Sequence, residues 1–180
     1  MICNDLAAPL GPAPSRPPPM TGEVIEVGVN KRYRRNVGVM LIAPDRRIFV
    51  GRRAKQSDAW QMPQGGVDDG ETPIEAACRE LWEEVGTSQA LLLRESAKWL
   101  TYDVPEEARP AHWKGRWVGQ AQRWFALAFT GRDSDIDIAA HDQEFDAWQW
   151  MTAAEMLDCI VPFKRPTYDA VVEEFRDLVK

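Results

Sequence analysis

Three glutamates carry the most chemistry for their spacing: Glu80, Glu83 and Glu84 lie within five residues of one another. On a helix each residue advances about 100°. These three carboxylates then share one flank, away from the apolar stripe Ile74, Ala77, Cys78, Leu81 and Val85. Like charges so close repel one another. Hard cations such as Mg²⁺ relieve that repulsion, because they take oxygen ligands and sit beside phosphates. Three acids in isolation can equally be a solvated helix face. Their surroundings favour the cation. Trp60 to Gly66 (WQMPQGG) puts a glycine turn just ahead of the helix, where backbone can approach a metal or phosphate closely. Arg79 can pair with an acid and hold the flank in place, and Glu71 can accept its remaining hydrogen bonds.

Several elements must position this flank. The helix has a clear start: Thr72 as N-cap, Pro73 at the first helical position and Glu75 completing a capping box. Gly86 stops it. Ahead of it, Asn36 to Ala43, the turn at Pro44-Asp45 and Arg47 to Gly51 read as a hairpin, and Lys55 to Asp69 reads as a loop. After it, Ala90 to Val104 reads as a strand pair or one long bent strand. Pro105 to Gly119 reads as a loop whose Trp113 and Trp117 could face a ligand. Gln120 to Thr130 and Asp146 to Met151 read as strands. Thr152 with Glu155 opens a second capping box, and Arg165 to Val179 reads as an amphipathic closing helix. Trp99, Trp124 and Trp150 are expected in the core. Strands interleaved with helices give a mixed α/β sandwich.

Composition sets the bounds. The 180 residues are 44% hydrophobic and 28% charged, as in one globular domain. No apolar run is long enough for a membrane span. Six of the 13 prolines fall within the first 19 residues, so 1–28 is expected to be a disordered tail ahead of a domain over 29–180. Cys3, Cys78 and Cys159 fit neither a disulfide framework nor a zinc site and read as reduced thiols of a cytoplasmic protein. The net charge of -6 argues against a nucleic-acid partner, yet nine of the 22 basic residues lie between Lys31 and Lys55 with only Asp45 among them. That local basic zone suits a phosphate-bearing ligand.

The segment from Gly65 to Thr87 resembles the nudix box, carried by Gly65, Glu71, Arg79, Glu80, Leu81, Glu83, Glu84 and Gly86. Thr87 departs from the aliphatic residue usual at the end. YRRNVGVML, WQMPQGG, GQAQRWFAL, EFDAWQW and VPFKRPTY extend the resemblance to the bacterial RNA pyrophosphohydrolase and dinucleoside polyphosphate hydrolase subfamily. Arg35 stands where these enzymes usually have proline. The resemblance implies a nudix fold, a mixed β-sheet sandwiched between α-helices. It implies two or more Mg²⁺ or Mn²⁺ ions held by Glu80, Glu83, Glu84 and the Gly65 carbonyl, with Glu144 as a further acid. Glu83, Glu84 or Glu144 is the implied proton acceptor, and Arg34 and Arg53 would face the nucleotide. From the residues themselves, Gln120 and Gln122 share one strand face, and Phe163 with Lys164 offers a stacking ring beside a cation. The implied reaction converts a 5'-triphosphate RNA end to a monophosphate, which promotes RNA decay. Dinucleoside polyphosphate hydrolysis is the alternative, and a non-catalytic nucleotide sensor is disfavoured because every box glutamate is present. A monomer is expected, without stable DNA binding.

Overall fold

The computed structural model describes residues 24–26, 32–54, 59–141 and 143–180. Among them are nine strands and three α-helices. The strands are β1 (Val24–Glu26), β2 (Arg32–Ile42), β3 (Ile48–Arg53), β4 (Trp60–Gln61), β5 (Gln64–Gly66), β6 (Ala90–Glu95), β7 (Leu100–Asp103), β8 (Gly119–Phe129) and β9 (Phe145–Met151). The helices are α1 (Pro73–Val85), α2 (Ala153–Cys159) and α3 (Arg165–Glu174).

All nine strands join one mixed sheet whose spine runs β4-β3-β2-β8-β6, with β1 and β5 also on β2, β7 on β8 and β9 on β3. The centre is the long parallel pair of β2 and β8, in register from Tyr33↔Gly119 to Ile42↔Ala128. Successive side chains on these strands point to opposite faces. Val37, Val39, Leu41, Phe125 and Leu127 therefore pack with Ala77, Leu81 and Val85 of α1. Met40, Ile42, Trp124 and Ala126 pack on the other face with Met156 of α2, Tyr168 and Val171 of α3, and Phe175 just past its end. The expected sandwich is this arrangement.

Local chemistry accounts for the element ends. Thr72 caps α1 through a full capping box, and Gly86 closes it in the left-handed conformation at φ 73°. Thr152 and Glu155 form the second capping box at α2. Several expectations need correction. Val24–Glu26 pairs antiparallel with β2; the rest of the expected tail, 1–23 and 27–28, lies outside the described residues. The segment read as a loop before α1 contains β4 and β5, too short to show a hydrophobic period. Trp113 and Trp117 are buried against Tyr102 and Val104 instead of facing a ligand, while Trp99 and Trp150 are only half-buried. Cys159 is a free thiol, but Cys78 is disulfide-bonded, against the expectation of reduced thiols. No helix among the described residues is long and apolar enough to cross a membrane.

Candidate active site

Arg79 organises the acidic flank of α1. Its Nε and Nη2 donate to the two oxygens of Glu71, both at 2.9 Å. Its Nη1 donates to Glu80 Oε1 at 2.6 Å and to Glu83 Oε2 at 3.1 Å. Nη2 also reaches the Gly66 carbonyl at 2.7 Å, tying the helix to β5. One planar guanidinium thus holds three carboxylates and a strand edge, which a point-charge lysine could not do. Those acids and its own burial act in opposite directions on Arg79, and the acids prevail, so its pKa is raised.

The glycines of β5 act on opposite faces of the strand. A Cβ at Gly65 would run into the carboxyl group of Glu80, and a Cβ at Gly66 would run into the guanidinium of Arg34. Only glycine at both positions lets an acid and a cation close over the same three-residue strand.

Glu84 is buried, and its Oε2 accepts the Gln64 backbone N–H at 3.0 Å. Burial pushes its pKa well up, and the nearby carboxylates of Glu80 and Glu144 push it further, against the opposing pull of the Gln64 N–H and Arg53. Glu144 stands just ahead of β9 and pairs with Arg53 at 2.9 Å. The β3–β9 register shifts between Arg52 and Arg53. Such an irregularity re-aims a side chain, and here Arg53 turns to the acid. Glu80, Glu84 and Glu144 therefore form one electrostatic neighbourhood, with Glu83 joined through Arg79.

Among the described residues no three acidic, histidine or cysteine side chains already stand as a ligand set for one ion. The carboxylates of Glu80, Glu83 and Glu84 are engaged by Arg79 and the Gln64 amide. The donor set is nonetheless all oxygen, suited to a hard cation. Burial comes first in raising the Glu84 pKa, and the carboxylates of Glu80 and Glu144 add to it; a divalent ion would offset that second contribution.

The other expected residues divide. Gln120 is half-buried and accepts the Tyr102 hydroxyl at 2.5 Å. Gln122 is fully buried and donates to Asn36 Oδ1 at 2.7 Å and Gln64 Oε1 at 3.2 Å; its own Oε1 has no partner. Gln122 therefore belongs to an interior amide network, while Gln120 lies nearer the surface. Phe163 packs half-buried against Tyr102, with ring centroids 6.0 Å apart. Lys164 is buried, its Nζ bonded to Gln61 Oε1 at 3.0 Å and Gln64 Oε1 at 3.3 Å. Burial and the neighbouring Arg53 bring its pKa down to about 7, while Glu84 and Glu144 pull it upward. Sequence reasoning overlooked Gln61, Gln64, Asn36 and Tyr102. The two glutamines stood in the WQMPQGG segment, but only its glycines drew notice.

The NUDIX domain family matches residues 32–171, which include every residue described in this site. This chain is a member of that family. The chain is 55% identical over 142 residues to an RNA pyrophosphohydrolase of Rhodospirillum rubrum, covering 79% of this chain and 86% of the relative. It is 48% identical to an RNA pyrophosphohydrolase of Rickettsia bellii, covering 82% of this chain and 92% of that one. Among solved structures, the Escherichia coli dihydroneopterin triphosphate pyrophosphohydrolase superposes with a TM-score of 0.64 at 24% identity, over 78% of this chain and 97% of that one. The Caenorhabditis elegans Ap4A hydrolase superposes with a TM-score of 0.60 at 14% identity, over 80% of this chain and 98% of that one. At those identities the likeness speaks for the fold alone. The nudix fold expected from the box and from the α/β alternation is the fold observed.

Proposed function

We propose that this chain hydrolyses the 5'-triphosphate end of RNA to pyrophosphate and a 5'-monophosphate end. The observation that carries the reading is the carboxylate flank of α1, locked by Arg79, with Lys164 tied to it through Gln64 and Arg53 paired to Glu144. Relatives at 48–55% identity, named RNA pyrophosphohydrolases, supply the substrate class.

Glu80, Glu83, Glu84 and Glu144, with the Gly65 carbonyl, would hold Mg²⁺ or Mn²⁺. Two or more such ions, when bound, supply charge neutralisation on the phosphates and a water of lowered pKa. The residues then act as follows. Arg79 keeps Glu80 and Glu83 oriented. Arg34, Arg53 and Lys164 bring positive charge to the polyphosphate, and Phe163 and Gln120 border the nucleotide. One of Glu83, Glu84 and Glu144 accepts the proton of the attacking water. Water adds across one anhydride linkage, and the bridging P–O bond breaks to release pyrophosphate. Phosphoryl transfer of this kind needs positioning and charge stabilisation more than covalent help.

The test is product analysis after incubating a triphosphorylated oligonucleotide with the protein and Mg²⁺. Pyrophosphate and a 5'-monophosphate end are expected, and Glu83→Gln loses most of the activity while keeping its thermal unfolding profile. Faster turnover of diadenosine tetraphosphate than of the RNA would reassign the substrate to dinucleoside polyphosphates.

A further inference from the structure

The ammonium of Lys164 is held by two amide oxygens that no part of the nudix box supplies. Gln61 is the second residue of β4, buried, and its Oε1 lies 3.0 Å from Lys164 Nζ. Gln64 opens β5, and its Oε1 lies 3.3 Å from the same nitrogen. An ammonium has three donors and no acceptor. Two are directed at these oxygens, which leaves one for an incoming phosphate oxygen. We propose that Gln61 is a positioning residue, which with Gln64 aims the Lys164 ammonium at the substrate's phosphates. The inference rests on the reading of Lys164 as a phosphate contact.

Three observations support it. First, the segment that carries both glutamines is pinned from several directions. Val39 N–H donates to the Pro63 carbonyl at 2.8 Å, Met62 N–H donates to the Tyr168 hydroxyl at 3.1 Å, and Arg53 N–H donates to the Ala59 carbonyl at 2.9 Å. Oxygens mounted on so fixed a segment can define a direction for a flexible four-carbon side chain. Second, Gln64 links the cation to the acidic flank. Its backbone N–H holds Glu84 at 3.0 Å, while its side-chain oxygen also accepts Gln122 Nε2 at 3.2 Å. Lys164 and the carboxylate flank are therefore set relative to each other through one residue. Third, both partners of the buried lysine are neutral. A glutamate at either position would meet the ammonium as an ion pair and cancel the charge that a polyphosphate needs. A glutamine oxygen accepts from the ammonium without placing a negative charge of its own against it.

The test is steady-state kinetics on a triphosphorylated oligonucleotide with Mg²⁺, for Gln61→Met, Gln61→Glu, Lys164→Met and the double variant Gln61→Met/Lys164→Met. Lys164→Met is expected to raise KM about tenfold, the scale of one hydrogen bond to a charged group. Gln61→Met should raise KM by about the same factor with kcat within about twofold, the signature of an interaction that contributes equally to ground and transition states. The double variant should be no worse than Lys164→Met, because the glutamine acts through the lysine. Gln61→Glu should also raise KM, although it keeps both volume and acceptor. An unchanged KM in Lys164→Met overturns the phosphate-contact reading and this inference with it. A raised KM in Lys164→Met with no change in Gln61→Met and Gln61→Glu overturns the positioning role alone. Additive effects in the double variant also overturn it. If Gln61→Met fails to unfold cooperatively, Gln61→Glu decides: a raised KM supports the role and an unchanged KM overturns it.

Discussion

Replacing Arg79 with methionine separates a site held by one cation from a set of independent surface acids. The guanidinium is 22% exposed, and it faces Glu71 at 16% and Glu80 at 8% exposure. Methionine keeps the stem volume but removes all five donors. Glu71 and Glu80 then stay largely buried without their partner, Glu83 loses its anchor, and the Gly66 carbonyl loses its donor. Breaking a buried pair by removing one member costs about 3–5 kcal/mol. Because the cluster is partly solvated, the lower end applies, about 3 kcal/mol. That is a large share of a total stability of about 5–15 kcal/mol. With a urea m-value of about 3 kcal/mol/M, the unfolding midpoint should fall by about 1 M. The assay is urea unfolding of both proteins in EDTA, repeated with MgCl₂ and with NaCl at equal ionic strength. Magnesium should recover part of the loss and sodium should not. A loss under about 1 kcal/mol would place these acids among ordinary exposed charges, whose pairs contribute about that much or less, and would refute the reasoning.

Further outcomes follow from the same geometry. Gly65→Ala drives a methyl group into the Glu80 carboxyl, so kcat should fall about hundredfold, the cost of misplacing a group by roughly 1 Å; near-normal turnover would mean that Glu80 can sit elsewhere. Tyr168→Phe leaves the Met62 N–H buried without an acceptor and should lower stability by about 1–3 kcal/mol in urea unfolding, while the ring keeps its edge contact with Trp124. A loss near zero would show that the amide finds another partner. For Glu84 the folded pKa lies above the ordinary 4.5, chiefly through burial. Above pH 4.5 the folded state therefore holds more of this proton than the unfolded chain, and stability falls as pH rises toward the folded pKa. In EDTA, Glu84→Gln should melt higher than the wild type at pH 8 and nearly level with it at pH 4.5. Melting curves that keep a constant separation across that range would rule out this linkage.

Much of the acidic flank was legible because its determinants are local. A capping box, a proline at the first helical position and a closing glycine delimit α1 from short-range chemistry alone. Helical periodicity then separates the stripe Ala77, Leu81 and Val85 from the three glutamates. The parts that were missed depend on strand pairing. β4 and β5 have two and three residues, too few to carry a period, and they are strands only because β3 and β2 offer them hydrogen-bonding edges. Trp113 and Trp117 sit in a polar stretch, yet β7 and the 162–164 turn provide an apolar surface that covers them.

The sequence by itself determined the acidic helix flank, its arginine and its glycine turn, because residues a few positions apart on a helix meet whatever the rest of the chain does. Only the tertiary structure decided which distant groups complete the site. Glu144 meets Arg53 through a register shift between β3 and β9. Lys164 meets Gln61 across 103 positions of chain. Such encounters depend on sheet order and on which face each strand turns inward, and no local pattern encodes either one.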